Sequence, residues 1–216
     1  CKLRWKDIGF SSDGTVSGIG KGLLFGLVCS VFAYAVECIV LLFLHGNVHL
    51  SFYASGFSLT NEKVSQAGIL LILSSVVFNL INVWMEEGVF RGLFTKILEG
   101  ISYRKSLFFI AFLFGIWHLV MPLRDYIQGE SSLVNLIAMG IGYVILAGMM
   151  SIKWSLLYKM TGSLWFGLGD HFFNNLALNL VHVVSNSEAD SLQIVRILLW
   201  QLLSFAIVLW VYQKKN

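Results

Sequence analysis

Two adjacent glutamates, Glu86 and Glu87, are followed by Arg91, and further along come His118 and the cluster Asp170, His171, Asn174 and Asn175. A carboxylate can take a proton from water, an imidazole can hold that water, and imidazole or amide N–H groups can stabilise a developing oxyanion. The same side chains also serve structure. A lone histidine is more often a hydrogen bonder between helices, Asp170 can simply cap or bond a neighbour, and Glu37 suits a cavity wall or a bond to another helix. The decision rests on where the chain places them.

The surrounding sequence is apolar. Hydrophobic residues make up 57% of the 216 positions and charged ones 12%, against roughly 25% charged in soluble domains. Much of the surface must therefore face lipid. The net charge of +3 comes from short basic clusters between apolar runs, a pattern that sets membrane orientation and argues against nucleic-acid binding. Cys1, Cys29 and Cys38 form no disulfide framework, and the last two read as small buried hydrophobes in one helix.

A bilayer core of roughly 30 Å needs about 20 apolar residues in a helix. Six stretches approach that length: about 20–44, 66–95, 106–122, 133–152, 160–184 and 192–212. The expected architecture is an all-α, polytopic transmembrane bundle of about six spans. It forms one integral membrane domain over 1–216, with its polar core in about 66–184. Lys2, Arg4, Lys6 and Lys21, then Lys96, Arg104 and Lys105, then Lys153 and Lys159, and finally Lys214 and Lys215 all fall on one side of such a bundle. The intervening loops hold Glu62 with Lys63, Arg124 with Asp125 and Glu130, and Glu188 with Asp190. Both termini are therefore expected in the cytoplasm, with 45–65, 122–132 and 185–191 outside. His45 and His49 fall in the first outer loop. Gly18, Gly22 and Gly26, and Gly88 with Gly92, stand four apart, a spacing that lets helix backbones approach closely.

Charged groups inside lipid cost roughly 2.5–3.5 kcal/mol each on insertion scales and are shielded and paired. Counted from the basic anchors at 1.5 Å per residue, Glu86 lies about 15 Å deep, His118 about 20 Å and His171 about 18 Å. Three helices thus bring polar groups to one depth, which scattered packing residues would not do. Glu87 and Arg91, at i and i+4, can pair on one face, which leaves Glu86 directed elsewhere. His171 and Asn175 share a face, as do Phe114 and His118. Asn79, Asn82 and Glu86 make one polar stripe, and His171, Asn175, Asn179 and His182 another, both running towards the outer surface.

Glu86-Glu87-Gly88-Val89-Phe90-Arg91 resembles the EExxxR motif of the type II CAAX prenyl endopeptidase family, also called the CPBP or ABI superfamily. Phe114 to His118 resembles its FxxxH motif, and His171 to Asn175 its HxxxN motif. Each motif is short, but all three in order, in transmembrane helices, over about 85–176, are specific. The resemblance implies intramembrane endopeptidase activity with Glu86, His118, His171 and Asn175 catalytic and Glu87 and Arg91 supporting. Glu86 suits the general base, His118 the water holder, and His171 with Asn175 the oxyanion donors. The metal alternative, in which Glu86, His118 and His171 bind zinc and leave one position for water, would occupy the base. The metal-free glutamate mechanism, with no cofactor, is therefore favoured. The expected surroundings are membrane lipids, a peptide or protein substrate and partner membrane proteins, in a bacterial cytoplasmic membrane. Two other readings are an ion- or proton-coupled transporter and a non-enzymatic immunity or scaffold protein. The absence of inverted repeats and of paired Gly/Pro helix interruptions argues against transport.

Overall fold

The computed structural model describes residues 3–54 and 69–215. Cys1, Lys2, Glu62, Lys63 and the expected first residues of the second span lie outside that range. Lipid offers no partners for backbone N–H and C=O groups, so a spanning chain must satisfy them along its own axis. Helices accordingly dominate.

Five segments are long and apolar enough to cross a membrane: Thr15–His45, Ile69–Ile97, Tyr103–Ile127, Leu133–Thr161 and Gln193–Lys215. The first is α1. The second comprises α2 (Ile69–Glu86), a π-helical stretch Glu87–Leu93 and α3 (Phe94–Ile97). The third is divided into α4 (Tyr103–Trp117) and α5 (Val120–Ile127), the fourth is α6 and the fifth is α8. The sixth expected span, 160–184, holds α7, Trp165–Leu180, whose 16 residues make it shorter than the other five segments.

Three sequence expectations are corrected. Helix α6 runs on to Thr161, so Lys153 is no loop anchor. It is buried inside the helix, with its ammonium 5.0 Å from the Trp154 ring centroid. His182 does not continue the polar face of α7, because the chain leaves the helix at Leu180 and enters a strand. His45 and His49 are not loop residues: His45 closes α1, with Nδ1 2.9 Å from the Ser185 hydroxyl, and His49 opens a strand.

The chain divides into two compact units. One contains Gly14–Met85 and Trp165–Ser204. Its centre is a seam between α1 and α7 built on small residues, as the four-residue glycine spacing predicts. A Cβ at Gly18 would lie 2.7 Å from the Trp165 Cβ, one at Gly22 2.6 Å from the Asp170 amide nitrogen, and one at Gly26 2.9 Å from the Phe173 ring. Gly169 answers from α7, where a Cβ would reach the Ile19 carbonyl oxygen at 2.5 Å. Buried Cys29 lies on α1, and Cys38 is half-buried; both are free thiols.

The same unit carries a three-stranded antiparallel sheet in the order β1 (His49–Phe52), β2 (Val181–Ser185), β3 (Glu188–Ala189). Its register pairs His49 with Val184 and Phe52 with Val181. Asn186 and Ser187, at φ 50° and 66°, form the two-residue turn between β2 and β3. A buried charge network adjoins it. Arg196 of α8 reaches Glu37 of α1 at 2.6 Å and Asp190 at 2.9 Å. Asp190 in turn meets His182 Nδ1 at 2.5 Å, and Tyr53 stacks on that imidazole at 3.8 Å. The expectation that Glu37 bonds another helix is met by Arg196.

The other unit takes in the chain up to Asp13, Glu86–Leu164 and the residues from Phe205 onward. Here a short 3-10 turn, Trp5–Ile8, covers the π-helical stretch. A Cβ at Gly92 would come 2.7 Å from the Ile8 carbonyl oxygen, and one at Gly88 3.1 Å from the Phe10 ring. Helix α4 packs on α6 through Gly115, where a Cβ would meet the Val144 carbonyl oxygen at 2.7 Å.

Candidate active site

The EExxxR motif does not sit in regular α-helix. Glu87 to Leu93 is π-helical, a conformation that is rare, occurs mostly as single-turn bulges, and is frequent at functional sites. Glu86 is the last residue before the wider turn, and Glu86, Glu87 and Arg91 are all buried. Glu87 and Arg91 pair as expected, at 3.6 Å. The guanidinium lies 4.0 Å from the Phe114 ring centroid and 5.1 Å from that of Trp154, so aromatic faces supply part of what water would provide to the cation.

His118 is positioned by the only proline of the chain. Pro122 has no N–H to give the carbonyl four residues back, which is that of His118, and its ring crowds that carbonyl. Helix α4 therefore stops at Trp117 and α5 restarts at Val120. The His118 amide turns to the Gly115 carbonyl at 3.2 Å, and the imidazole Nδ1 lies 2.8 Å from the Phe114 carbonyl oxygen. A carbonyl only accepts, so Nδ1 carries the proton, and in the neutral ring Nε2 presents the lone pair that a water or a cation would use. Phe114 packs beside the ring, centroids 4.5 Å apart, as the shared face predicts.

Sequence reasoning missed Trp117. Its indole N–H donates to Glu86 Oε1 at 3.0 Å. The signal was its place beside His118 in the FxxxH motif; its role depends on the helix break, which no periodicity reveals.

In the other unit, the α1 seam engages Phe166, Asp170 and Phe173 with Gly169. At about 100° per residue, His171 and Asn175 then stand on the opposite face of α7. Asp170 and Asn174 are fully buried and His171 nearly so. Asp170 belongs to the seam side, away from the His171–Asn175 face. One turn further on, the Asn179 amide donates to Asn79 Oδ1 at 3.4 Å, and the Asn79 amide donates to the Ser75 carbonyl at 2.9 Å. The polar stripes of α2 and α7 therefore meet at these asparagines. Glu86 and His118 thus belong to one unit and His171 and Asn175 to the other. Among the described residues, no three His, Cys, Asp or Glu side chains are grouped closely enough to hold a metal ion.

Comparison with curated proteins and with solved structures gives no match. The family model described as type II CAAX prenyl endopeptidase Rce1-like matches residues 68–177. That stretch is just over half of the 216 residues and holds all three motifs. The chain therefore belongs to the Rce1-like, type II CAAX prenyl endopeptidase family of intramembrane proteases.

Proposed function

We propose that the protein hydrolyses a peptide bond in a membrane-associated substrate, such as a prenylated tail, a peptide pheromone or a bacteriocin precursor, by glutamate-activated water. Glu86 takes a proton from water as the oxygen attacks the scissile carbonyl carbon, with His118 Nε2 holding that water. His171 and Asn175 donate hydrogen bonds to the tetrahedral oxyanion. Collapse breaks the C–N bond, and the Glu86 carboxyl passes its proton to the leaving amine. Both termini lie in the cytoplasm in this reading, and specificity resides within the membrane.

The observation that carries the proposal is the fixed chemistry around Glu86 and His118. One carboxylate oxygen is held by Trp117. The imidazole proton is committed to the Phe114 carbonyl, which orients the ring and sets its tautomer. Positioning of this kind is what a base and its water require. The steps run through the protein's own groups; the metal alternative, with Glu86, His118 and His171 as zinc ligands, finds no ready-made cluster among the described residues. The test is incubation of the purified protein with prenylated and unmodified peptides, with mass spectrometry of the products before and after exhaustive chelation. Cleavage that survives chelation supports the glutamate reading. Activity lost on chelation and restored by zinc replaces it with a metal mechanism.

A further inference from the structure

A cavity of about 350 Å³ opens in the unit that holds Glu86 and His118, and none of the proposed catalytic residues lines it. Its walls come from α3 with the turn after it, the start of α4 and the end of α6. The volume is within the range of small-ligand pockets, roughly 300–1,000 Å³.

The lining is graded. Helix α4 runs inward from Tyr103 to Leu107 and Ile110, while α6 runs outward through Ser155 to Lys159. Going inward, the lining therefore passes from the Lys159 ammonium to the Ser155 hydroxyl on α6 and to Leu107 and Ile110 on α4, and Leu98 adds an apolar side wall. At the mouth, the Lys159 ammonium lies 5.0 Å from the Tyr103 ring centroid. The neighbouring Glu99 carboxylate is already neutralised by Lys96 at 2.8 Å. Deeper in, the Ser155 hydroxyl is buried and makes no hydrogen bond to any described residue. A buried hydroxyl left this way is costly unless a ligand supplies an acceptor. Ser155 and Lys159 are i and i+4, so they share one face of α6 with the serine about 6 Å deeper.

We propose that this cavity binds an anionic glycerophospholipid from the leaflet on the basic side of the protein. Lys159 meets the phosphate, Ser155 donates to an ester carbonyl, and one acyl chain lies against Leu98, Leu107 and Ile110. The order of phosphate, ester and alkyl chain is the order in which the lining presents cation, hydroxyl donor and apolar floor. Basic pockets between membrane helices are a recurrent setting for anionic headgroups.

The delipidated protein in detergent is titrated with dioctanoyl phosphatidylglycerol, dioctanoyl phosphatidylcholine or inorganic phosphate. Thermal midpoint and bound lipid by native mass spectrometry are recorded for each. Phosphatidylglycerol should bind and raise the midpoint, while phosphatidylcholine binds more weakly and phosphate alone does nothing. Lys159→Gln should weaken phosphatidylglycerol about five-fold, the effect of one basic residue at a membrane surface. Ser155→Leu, which fills the cavity, should abolish binding; Leu107→Trp fills it from α4 should the serine variant fail to fold. Equal binding of the two lipids, unchanged affinity in Lys159→Gln and the filled variant, or a full shift with phosphate alone would each overturn the assignment. None of these substitutions touches the proposed catalytic residues, so failure here leaves the protease reading standing.

Discussion

The indole N–H of Trp117 lies 3.0 Å from Glu86 Oε1, one residue before the histidine proposed to share a water with that carboxylate. The bond fixes a carboxylate that helix geometry alone would leave to rotate. Trp117→Phe keeps an aromatic ring at this half-exposed position and removes the donor, so cleavage should fall by ~10-fold or more while the thermal midpoint moves little. A wild-type rate would show that Trp117 only packs.

The two adjacent glutamates should separate cleanly. Glu86→Gln keeps shape and removes the base, lowering the cleavage rate by ~10²-fold or more with little change in folding. Glu87→Gln leaves Arg91 buried without its carboxylate partner, a loss of several kcal/mol on the usual scale for broken buried pairs. It should lower expression or thermal midpoint, and replacing Arg91 as well should partly restore both. Cleavage at the wild-type rate by Glu86→Gln would remove it from the mechanism.

Pro122→Ala tests whether the helix break positions the histidine. The restored N–H can donate to the His118 carbonyl and join α4 to α5, which favours regular helix. Helix content by circular dichroism should hold or rise, while cleavage drops by ~10–10²-fold as His118 is drawn into the helix. Unchanged activity would mean that the ring finds its place without the break.

Asp190 supplies a pH dependence of stability. Burial pushes its carboxyl up, but the hydrogen bond from His182 and the charge and hydrogen bond of Arg196 outweigh that, and the group stays below its ordinary value. A carboxyl lowered on folding stabilises the protein above its unfolded pKa of about 3.9, and that contribution disappears as pH falls through the folded value. Asp190→Asn should cost ~3–5 kcal/mol near neutral pH, as for a broken buried pair. The gap between variant and wild-type thermal midpoints should begin to narrow below about pH 4 and close only as the pH falls through the folded value. A gap that stays constant across that range would mean that Asp190 titrates alike in the folded and unfolded chain.

Two glycines of α1 make a matched pair. Gly20 faces open space, whereas a Cβ at Gly22 would run into the backbone of α7 at Phe166 and Asp170. Gly20→Ala should be neutral or stabilise by up to ~1 kcal/mol through helix propensity. Gly22→Ala should destabilise by ~1–3 kcal/mol through overpacking, read as midpoints in the same detergent. Equal effects would dissolve the seam as a determinant.

The spans are legible because lipid requires long apolar helices, and Gly18, Gly22 and Gly26 announce the seam through their spacing. The Glu87–Arg91 pair follows from helical periodicity, and so does the Phe114–His118 contact. What escapes are departures from that periodicity. A regular repeat cannot show that Glu87–Leu93 is π-helical. The break at His118 depends on its distance from Pro122, which counts only once the two are read together. Val181 to Ser185 merges into an apolar run, although its β-branched residues and the following Asn186-Ser187 turn are strand signals. Lys153 reads as an anchor because lysine so rarely lies buried; its aromatic neighbour comes into play only because α6 runs on.

The 16 residues of α7 span about 24 Å, some 6 Å less than a typical hydrocarbon core. Where lipid flanks it, the helix that carries His171 and Asn175 is therefore shorter than its surroundings. A bilayer accommodates a short helix by thinning around it, at fractions of a kcal/mol per Å. A thick, sterol-like membrane would resist that deformation more than a thin one. Membrane thickness thus becomes a physical variable acting on the helix that carries half of the proposed catalytic residues.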